Sequence, residues 1–447
     1  MISDYQNNTY SWVGENLKYQ KVEPYRTSWI YLSRSLICVT NNPNEKEHKF
    51  SNWKDIARWY ENICEDKLIV NDVIIKKVAE LTEEETTTFD KITKIAEFVQ
   101  NKIRYVAIEI GEESFIPRKA RTTFENKFGD CKDKAILMSS MLKIIGIQSS
   151  PILVNTINPI DTTVPSLFHF NHCILGIPAD QVGLSDTHLA VENGWLYFDP
   201  TDDISPFGQK VYYLHSKNVL VCSSSIEENL QEISTFDPSI QTIKLISSGK
   251  IKEDGSYNAE CKVIYLGGQI SIAKNMIQTY DNEDFEDLLK NNVSDILTNI
   301  DFTDINTEIC EDSVVITYYI SGKGISRNSG AYNVLYPNIF RSRSSRRLIA
   351  TKRNSPIWFG KLGTYFIDID WELPLSWTLE DVDKNINSVC EGGSVQLDVE
   401  YNGNILSLKR ESILFGKALD IQDYLEAQEY EKIRKQIDNY TVFFKSK

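Results

Sequence analysis

Asn126-Lys127-Phe128-Gly129-Asp130-Cys131-Lys132-Asp133-Lys134-Ala135 sets a cysteine directly behind a Gly-Asp break. The apolar run from Ile136 to Ile145 follows and stops at Gly146. This spacing predicts a buried helix with Asp130 as N-cap and Gly146 at its C-terminal break. Cys131 then falls in the first turn, where unpaired backbone N–H groups and the positive end of the helix dipole favour a thiolate. Lys132 and Lys134 add to that field; Asp130 and Asp133 oppose it. A thiol in such a place has two readings. It is an inert packing residue, as most buried cysteines are, or a nucleophile that needs a base.

The chain around this stretch has 447 residues, too many for one ordinary core, and the length suggests about three domains. With 41% apolar and 25% charged residues, the composition is that of globular domains. Tyr 22, Phe 19 and Trp 8 suit β-structure or a sugar- or peptide-binding groove, and only 13 prolines argue against long disordered linkers. The net charge of −15 disfavours a nucleic-acid backbone or an anionic membrane as main partner. Cysteines stand at 38, 64, 131, 173, 222, 261, 310 and 390 with no C-x-x-C pair, so free buried thiols are expected. No apolar run reaches the ~18 residues of a membrane span. The polar start Met1-Ile-Ser-Asp-Tyr-Gln-Asn-Asn lacks the regions of a signal peptide. As written, the sequence implies a cytoplasmic protein; as part of a longer precursor it is compatible with periplasmic or secreted placement.

Residues 1–75 hold aromatic segments (Tyr10-Ser-Trp-Val, Trp29-Ile-Tyr-Leu), a predicted strand Ser35–Thr40 and a short helix 53–62 with Trp53, Ile56, Ala57 and Tyr60 on one face. They read as a leader, the remnant of a β-rich domain and its linker. Residues 76–234 form a core. Phe89, Ile92, Ala96, Val99 and Ile103 predict an amphipathic helix over about 85–103. Arg104–Ile110 reads as extended, 111–129 as a loop, and Ser150–Asn155 and Phe168–Ile177 as strands. Alternation in the latter puts Phe170, His172 and Ile174 on one face and Asn171, Cys173 and Leu175 on the other. His188–Val191 and Trp195–Phe198 are joined by Glu-Asn-Gly, a hairpin signal. Residues 235–447 show recurrent alternating strands, including Tyr257–Tyr265, Val314–Ile320, Val395–Tyr401 and Ile405–Arg410, with a helix near Asp284–Asp295. This predicts a sandwich-like domain. A last helix over 421–440 places Ile421, Leu425, Ile433 and Ile437 on its docking face.

A thiolate nucleophile needs a base, and the base an orienting group. His172 and Asp199 lie on predicted strands downstream of Cys131, and Asp199 ends its strand, where its carboxylate can lean across. Alone, His172 reads as a satisfied core histidine and Asp199 as an Asp-Pro turn former; the case lies in finding all three in one block.

Arg104-Tyr-Val-Ala-Ile-Glu, Phe128-Gly-Asp-Cys-Lys-Asp-Lys-Ala, Gly146-Ile with Pro151-Ile-Leu-Val, Phe170-Asn-His-Cys-Ile and Trp195-Leu-Tyr-Phe-Asp-Pro-Thr-Asp202 together resemble the transglutaminase-like superfamily. The resemblance covers about 100–203 and is greatest to its bacterial branch with flanking β-rich domains. It implies an α+β chain with a papain-like core, in which a helix opened by the cysteine packs on an antiparallel sheet, followed by a β-sandwich-like domain. It makes Cys131 the nucleophile, His172 the general base and acid, and Asp199 the orienting group. The implied chemistry is acyl transfer through a thioester on a peptide, protein or cell-wall amide, without cofactor or metal. Hydrolysis is preferred over cross-linking, because no residue pattern marks a site for a second amine. The Cys131 N–H is one oxyanion donor, and Tyr105 a second candidate, unless it is a packing aromatic. Trp195 and Tyr197 wall the cleft or fill the core. The alternative is a non-catalytic binding or scaffold protein that keeps the fold.

Other patterns point elsewhere only weakly. His169, His172, Cys173 and His188 match no structural zinc spacing. Glu109, Glu112 and Glu113 read as a solvated acidic loop rather than a glycosidase pair. Arg341, Arg343, Arg346 and Arg347 read as a surface loop, and no Walker or dinucleotide motif occurs.

Overall fold

The computed structural model describes residues 2–4, 9–11, 15, 22–26, 50–107, 114–157, 159–185, 188, 190–203, 205–294, 296–330, 332–340, 348–382 and 385–446. Trp29–Leu32, the predicted strand Ser35–Thr40, Glu109, Glu112, Glu113 and the arginines at 341, 343, 346 and 347 lie outside them, as do residues 108–110 of the extended segment.

A hairpin, β1 (Ile2–Asp4) and β2 (Thr9–Ser11), comes first. Three helices then gather before the cysteine. In α1 (Trp53–Glu65), Asn52 caps the Asp55 N–H; in α2 (Asp72–Thr82), Asn71 caps Ile74; in α3 (Thr88–Lys102), Thr87 caps Asp90. Each cap satisfies an orphan donor of the first turn. Helix α2 was not expected, and the border drawn at residue 75 falls inside it. Ile56, Ala57, Tyr60 and Cys64 of α1 and Ile74 and Val78 of α2 join the same apolar cluster as α3. The packing unit of the core therefore takes in the helices from Trp53 onward.

Next come β3 (Arg104–Tyr105), α4 (Ala120–Asn126), β4 (Phe128–Gly129) and α5 (Cys131–Ile144). Every residue of α5 from Cys131 to Leu142 is buried. It packs on an antiparallel sheet made of β5 (Ser150–Val154), β6 (His172–Pro178), β7 (Val191–Glu192), β8 (Trp195–Phe198), β9 (Asn218–Val221) and β10 (Leu230–Glu232), in the order β10-β9-β5-β6-β8-β7. A short α6 (Ala179–Val182) follows β6. Leu153, Cys173, Leu175, Ile177, Leu196, Phe198 and Leu220 face the helices. Ile152, Val154, Ile174, Trp195, Tyr197, Val219 and Val221 face a second apolar cluster that includes Leu214, Phe236 and Leu362. Burial on both faces explains why β5 reads as a continuous apolar run rather than an alternation. The Glu-Asn-Gly turn is as expected, with Asn193 (φ 52°) and Gly194 (φ 78°) both left-handed.

The remaining chain is β-rich. One sheet is ordered β13-β14-β12-β11-β17-β21-β20-β19: β11 (Gln241–Ile251), β12 (Tyr257–Gly267), β13 (Thr298–Ile309), β14 (Ser313–Lys323), β17 (Gly363–Glu372), β19 (Asn385–Cys390), β20 (Gly393–Asn402) and β21 (Ile405–Leu414). A second holds β15 (Ser326–Ser329), β16 (Tyr332–Leu335), β22 (Val442–Ser446) and β18 (Trp377–Asp381). Leu335, Trp377, Val442 and Phe444 of the second sheet share one apolar core with Val395, Leu397 and Leu408 of the first, giving the sandwich-like arrangement. Helices α7 (Gln269–Thr279) and α8 (Asn282–Lys290) follow β12, and α9 (Tyr424–Asp438) precedes β22.

Of the expected docking face of the last helix, Ile433 and Ile437 pack on the core, but Ile421 and Leu425 do not. Leu425 is 77% exposed, and the buried residues are Tyr424, Ala427, Tyr430, Glu431 and Ile437. Polar pairing decides the orientation. Glu431 accepts from Tyr25 Oη at 2.7 Å and from Arg434 Nε at 2.8 Å, while Asp438 pairs with Arg410. Buried charges must be paired, and an apolar stripe alone does not reveal the partners.

Candidate active site

The start of α5 is fixed by a reciprocal cap. Asp130 Oδ1 accepts the Asp133 N–H at 3.3 Å, and Asp133 Oδ2 accepts the Asp130 N–H at 3.2 Å. Asp133 Oδ1 also accepts the Arg118 N–H at 2.7 Å. Burial raises the Asp133 pKa despite these bonds and the nearby Arg118 charge. Lys132 Nζ donates to Asp130 Oδ2. The charges flanking Cys131 are thus largely spent on one another. Gly129 is needed here, because a Cβ on it would lie 2.6 Å from Asp133 Cβ.

Lys134 takes another path. It is 1% exposed, and its Nζ donates to the Gln100 carbonyl at 3.2 Å. Burial lowers its pKa to about 8 against the pull of Asp203 and Asp199. The Gln100 side chain in turn donates to the carbonyls of Asp202 and Ser205. Together α3 and α5 tether the loop that follows Asp199.

Strands β6 and β8 are neighbours, with Leu175 opposite Phe198, so His172 at the start of β6 and Asp199 just after β8 meet at one end of the sheet. His172 Nε2 lies 2.9 Å from Asp199 Oδ2. Burial, the largest single influence on the imidazole, pulls its pKa down. Hydrogen bonds to Asp199 and Cys131 and the attraction of both groups outweigh it and raise His172 to about 10. Cys131 is itself 5% exposed.

The Asp199 carboxylate is fully engaged. Oδ2 also accepts Tyr213 Oη at 2.7 Å; Oδ1 accepts the Thr201 N–H at 2.9 Å and Thr201 Oγ1 at 2.7 Å. Burial pushes its pKa up, but the bonds and charge of His172, with those of Tyr213 and Thr201, hold it below the usual carboxylate value. Thr201 and Tyr213 were not singled out from the sequence. Thr201 has the signal of an Asp-x-Thr turn; Tyr213, in a one-turn helix 14 residues on, has none.

Tyr105 sits in β3, which pairs in parallel with β4, so its backbone lies beside Gly129, and the Val106 N–H donates to the Gly129 carbonyl at 2.9 Å. Its side chain is 45% exposed. Trp195 and Tyr197 do not wall a cleft at Cys131. Both are buried in the cluster on the opposite sheet face, where Tyr197 Oη donates to Gln231. Of the histidines considered for metal, His169 Nε2 contacts the Val164 carbonyl and Cys173 donates to the Ile174 carbonyl. Among the described residues no group of three His, Cys, Asp or Glu is placed to hold a metal ion, and no helix is long and apolar enough to cross a membrane.

Residues 75–200 match the family model of the Transglutaminase-like superfamily. No curated protein matches the chain. A crystal structure from Parabacteroides distasonis, described as that of a "putative protease", superposes with a TM-score of 0.51 at 12% sequence identity, covering 91% of this chain. The chain spans 64% of that structure's length. At that identity the likeness is one of fold.

Proposed function

With residues 75–200 a transglutaminase-like core, we propose that the protein is a cysteine-dependent acyltransferase acting as a hydrolase on an amide or peptide carbonyl. The observation that supports this reading is the 2.9 Å contact of His172 Nε2 with Asp199 Oδ2, on an imidazole whose pKa is also raised by Cys131. In the proposed cycle, Cys131 sulfur attacks the carbonyl carbon and the C=O electron pair moves onto oxygen. The oxyanion takes a hydrogen bond from the Cys131 N–H, with Tyr105 as second donor. As the C–N bond breaks, the His172 imidazolium gives a proton to the leaving amine, and a thioester remains. The neutral imidazole then takes a proton from water, which attacks the thioester and frees the acid and the sulfur. Asp199 holds the ring orientation and stabilises its charge. Peptides, proteins and cell-wall amides are the proposed substrate classes.

A second reading, a non-catalytic binder that retains the fold, is favoured by one observation: the 5% exposure of Cys131. Incubation with an amide and peptide library, followed by mass spectrometry of the intact protein, separates the two. An acyl adduct on Cys131, absent in Cys131→Ser, with product release that stops in His172→Ala, supports the enzyme. Retention of ligands with no adduct and no product supports the binder.

A further inference from the structure

We propose a ligand site away from Cys131: a cleft of about 480 Å³ between the core and the β-rich domain that takes a peptide bearing a free carboxylate. Its volume is in the range of small-molecule and peptide pockets. The floor follows from strand register. Tyr265 of β12 and Tyr365 of β17 both stand opposite Ile243 of β11, which gives an aromatic–aliphatic–aromatic row on one sheet face. Gln241, two residues earlier, shares that face.

Helix α7 forms one wall. Its buried residues are Ile270, Ser271 and Ala273, which seat it on the sheet. Gln269, Ile272 and Met276 lie on another stripe and line the cleft, with Ile272 42% exposed. Gln269 Nε2 donates to Gln241 Oε1 at 2.9 Å. That bond joins the head of α7 to β11, with the Gln241 amide buried against Gly268.

The facing wall holds Tyr212 and Lys361, with the Lys361 ammonium 6.0 Å from the Tyr212 ring centroid. In a chain of net charge −15, Lys361 is the single charged residue among the described residues of the lining, which include no carboxylate. Lys361 enters no ion pair among the described residues, and its charge is felt at Lys217, whose pKa burial and Lys361 together lower to about 8. A cation beside an aromatic and aliphatic floor selects an anionic peptide over a neutral glycan.

The test uses the full chain and fluorescence anisotropy of a labelled peptide of Ala and Glu with a free C-terminus. The controls are its Lys-containing amidated counterpart and a neutral oligosaccharide competitor. Lys361→Glu and Ile272→Arg alter exposed positions, and a wild-type melting curve for each shows that the fold is kept. Saturable binding that both variants weaken by about tenfold or more, with alkylation of Cys131 unchanged, supports the site. No saturable binding by the wild type, equal binding of the amidated Lys peptide, full displacement by the oligosaccharide, or wild-type affinity in both variants overturns it. The inference stands whether or not Cys131 turns over.

Discussion

Tyr213 donates its hydroxyl, at 2.7 Å, to the same Asp199 oxygen that meets His172 Nε2. The phenol thus competes for, and also fixes, the acceptor that orients the imidazole. Tyr213→Phe leaves that oxygen with His172 alone. We expect the variant to fold, to lose about 1 kcal/mol of stability, and to lower the alkylation rate of Cys131 severalfold. Urea titration and timed labelling check both.

Asp199→Asn keeps the shape but turns an acceptor-only group into one that also donates. The His172 ring then loses its partner charge and its fixed tautomer. Under the proposed function, product formation falls by about 10²–10⁴ while circular dichroism is unchanged. Wild-type turnover in this variant contradicts the assignment of Asp199.

The His172–Asp199 interaction also sets a pH window for stability. His172 holds its proton to about pH 10 in the folded state, against 6.5 for the free side chain. Its stabilising contribution is therefore complete below about pH 6.5 and is lost as pH rises through about 10. Asp199, held below 3.8, contributes above that value and loses its contribution as pH falls through its lowered folded pKa. Urea unfolding at pH 6.5 and 9.5 should show a larger fall for the wild type than for His172→Gln, by on the order of a few kcal/mol. Parallel curves contradict the pairing.

Lys134 behaves in the opposite sense. Its amine is lowered to about 8 by burial, against 10.5 when free. The folded state binds that proton more weakly, so the penalty is full below about pH 8 and fades as pH approaches 10.5. Lys134→Met, of similar length and apolar, should leave stability at pH 7 unchanged or raise it by about 1–3 kcal/mol, and should remove that rise with pH. A loss of several kcal/mol at pH 7 contradicts this.

Gly129→Ala places a methyl group 2.6 Å from Asp133 Cβ, inside the reciprocal cap of α5. We expect a loss of about 2 kcal/mol or more, with the transition midpoint falling in thermal melts.

The centre of the fold was legible because local signals agreed. Asp130, Cys131 and Gly146 bracket α5, whose apolar run has no polar alternative, and Gly146 takes the left-handed φ of 81°. From His172 onward the strand alternation matches the two clusters, Cys173 and Leu175 on one side and Ile174 on the other, but the expected strand began too early: Leu167–His169 is a 3-10 turn and Phe170 packs with Cys173, not with Ile174. Helix α2 was missed because apolar residues stand on both faces: Ile74 and Val78 are buried, while Val73 and Ile75 are exposed and blur the stripe. The face of α9 was only partly read because Glu431 and Asp438 are buried by pairing with Tyr25 and Arg410, far away in sequence. Trp195 and Tyr197 flank Asp199 in sequence yet lie on the far sheet face, since Trp195 and Tyr197 alternate with Leu196 and Phe198. Tyr213 reaches Asp199 only through the tertiary fold.

The central claim is that His172 and Cys131 act as one unit. The direct measurement is the rate of iodoacetamide alkylation of each thiol at neutral pH, resolved by peptide mapping, in the wild type and in His172→Ala. Cys310, a free thiol outside the buried set, is the internal control. The account predicts that Cys131 reacts faster than Cys310 in the wild type and loses about 10²-fold in His172→Ala, with Cys310 unchanged. Alkylation of Cys131 no faster than Cys310, or equally fast without the imidazole, contradicts it.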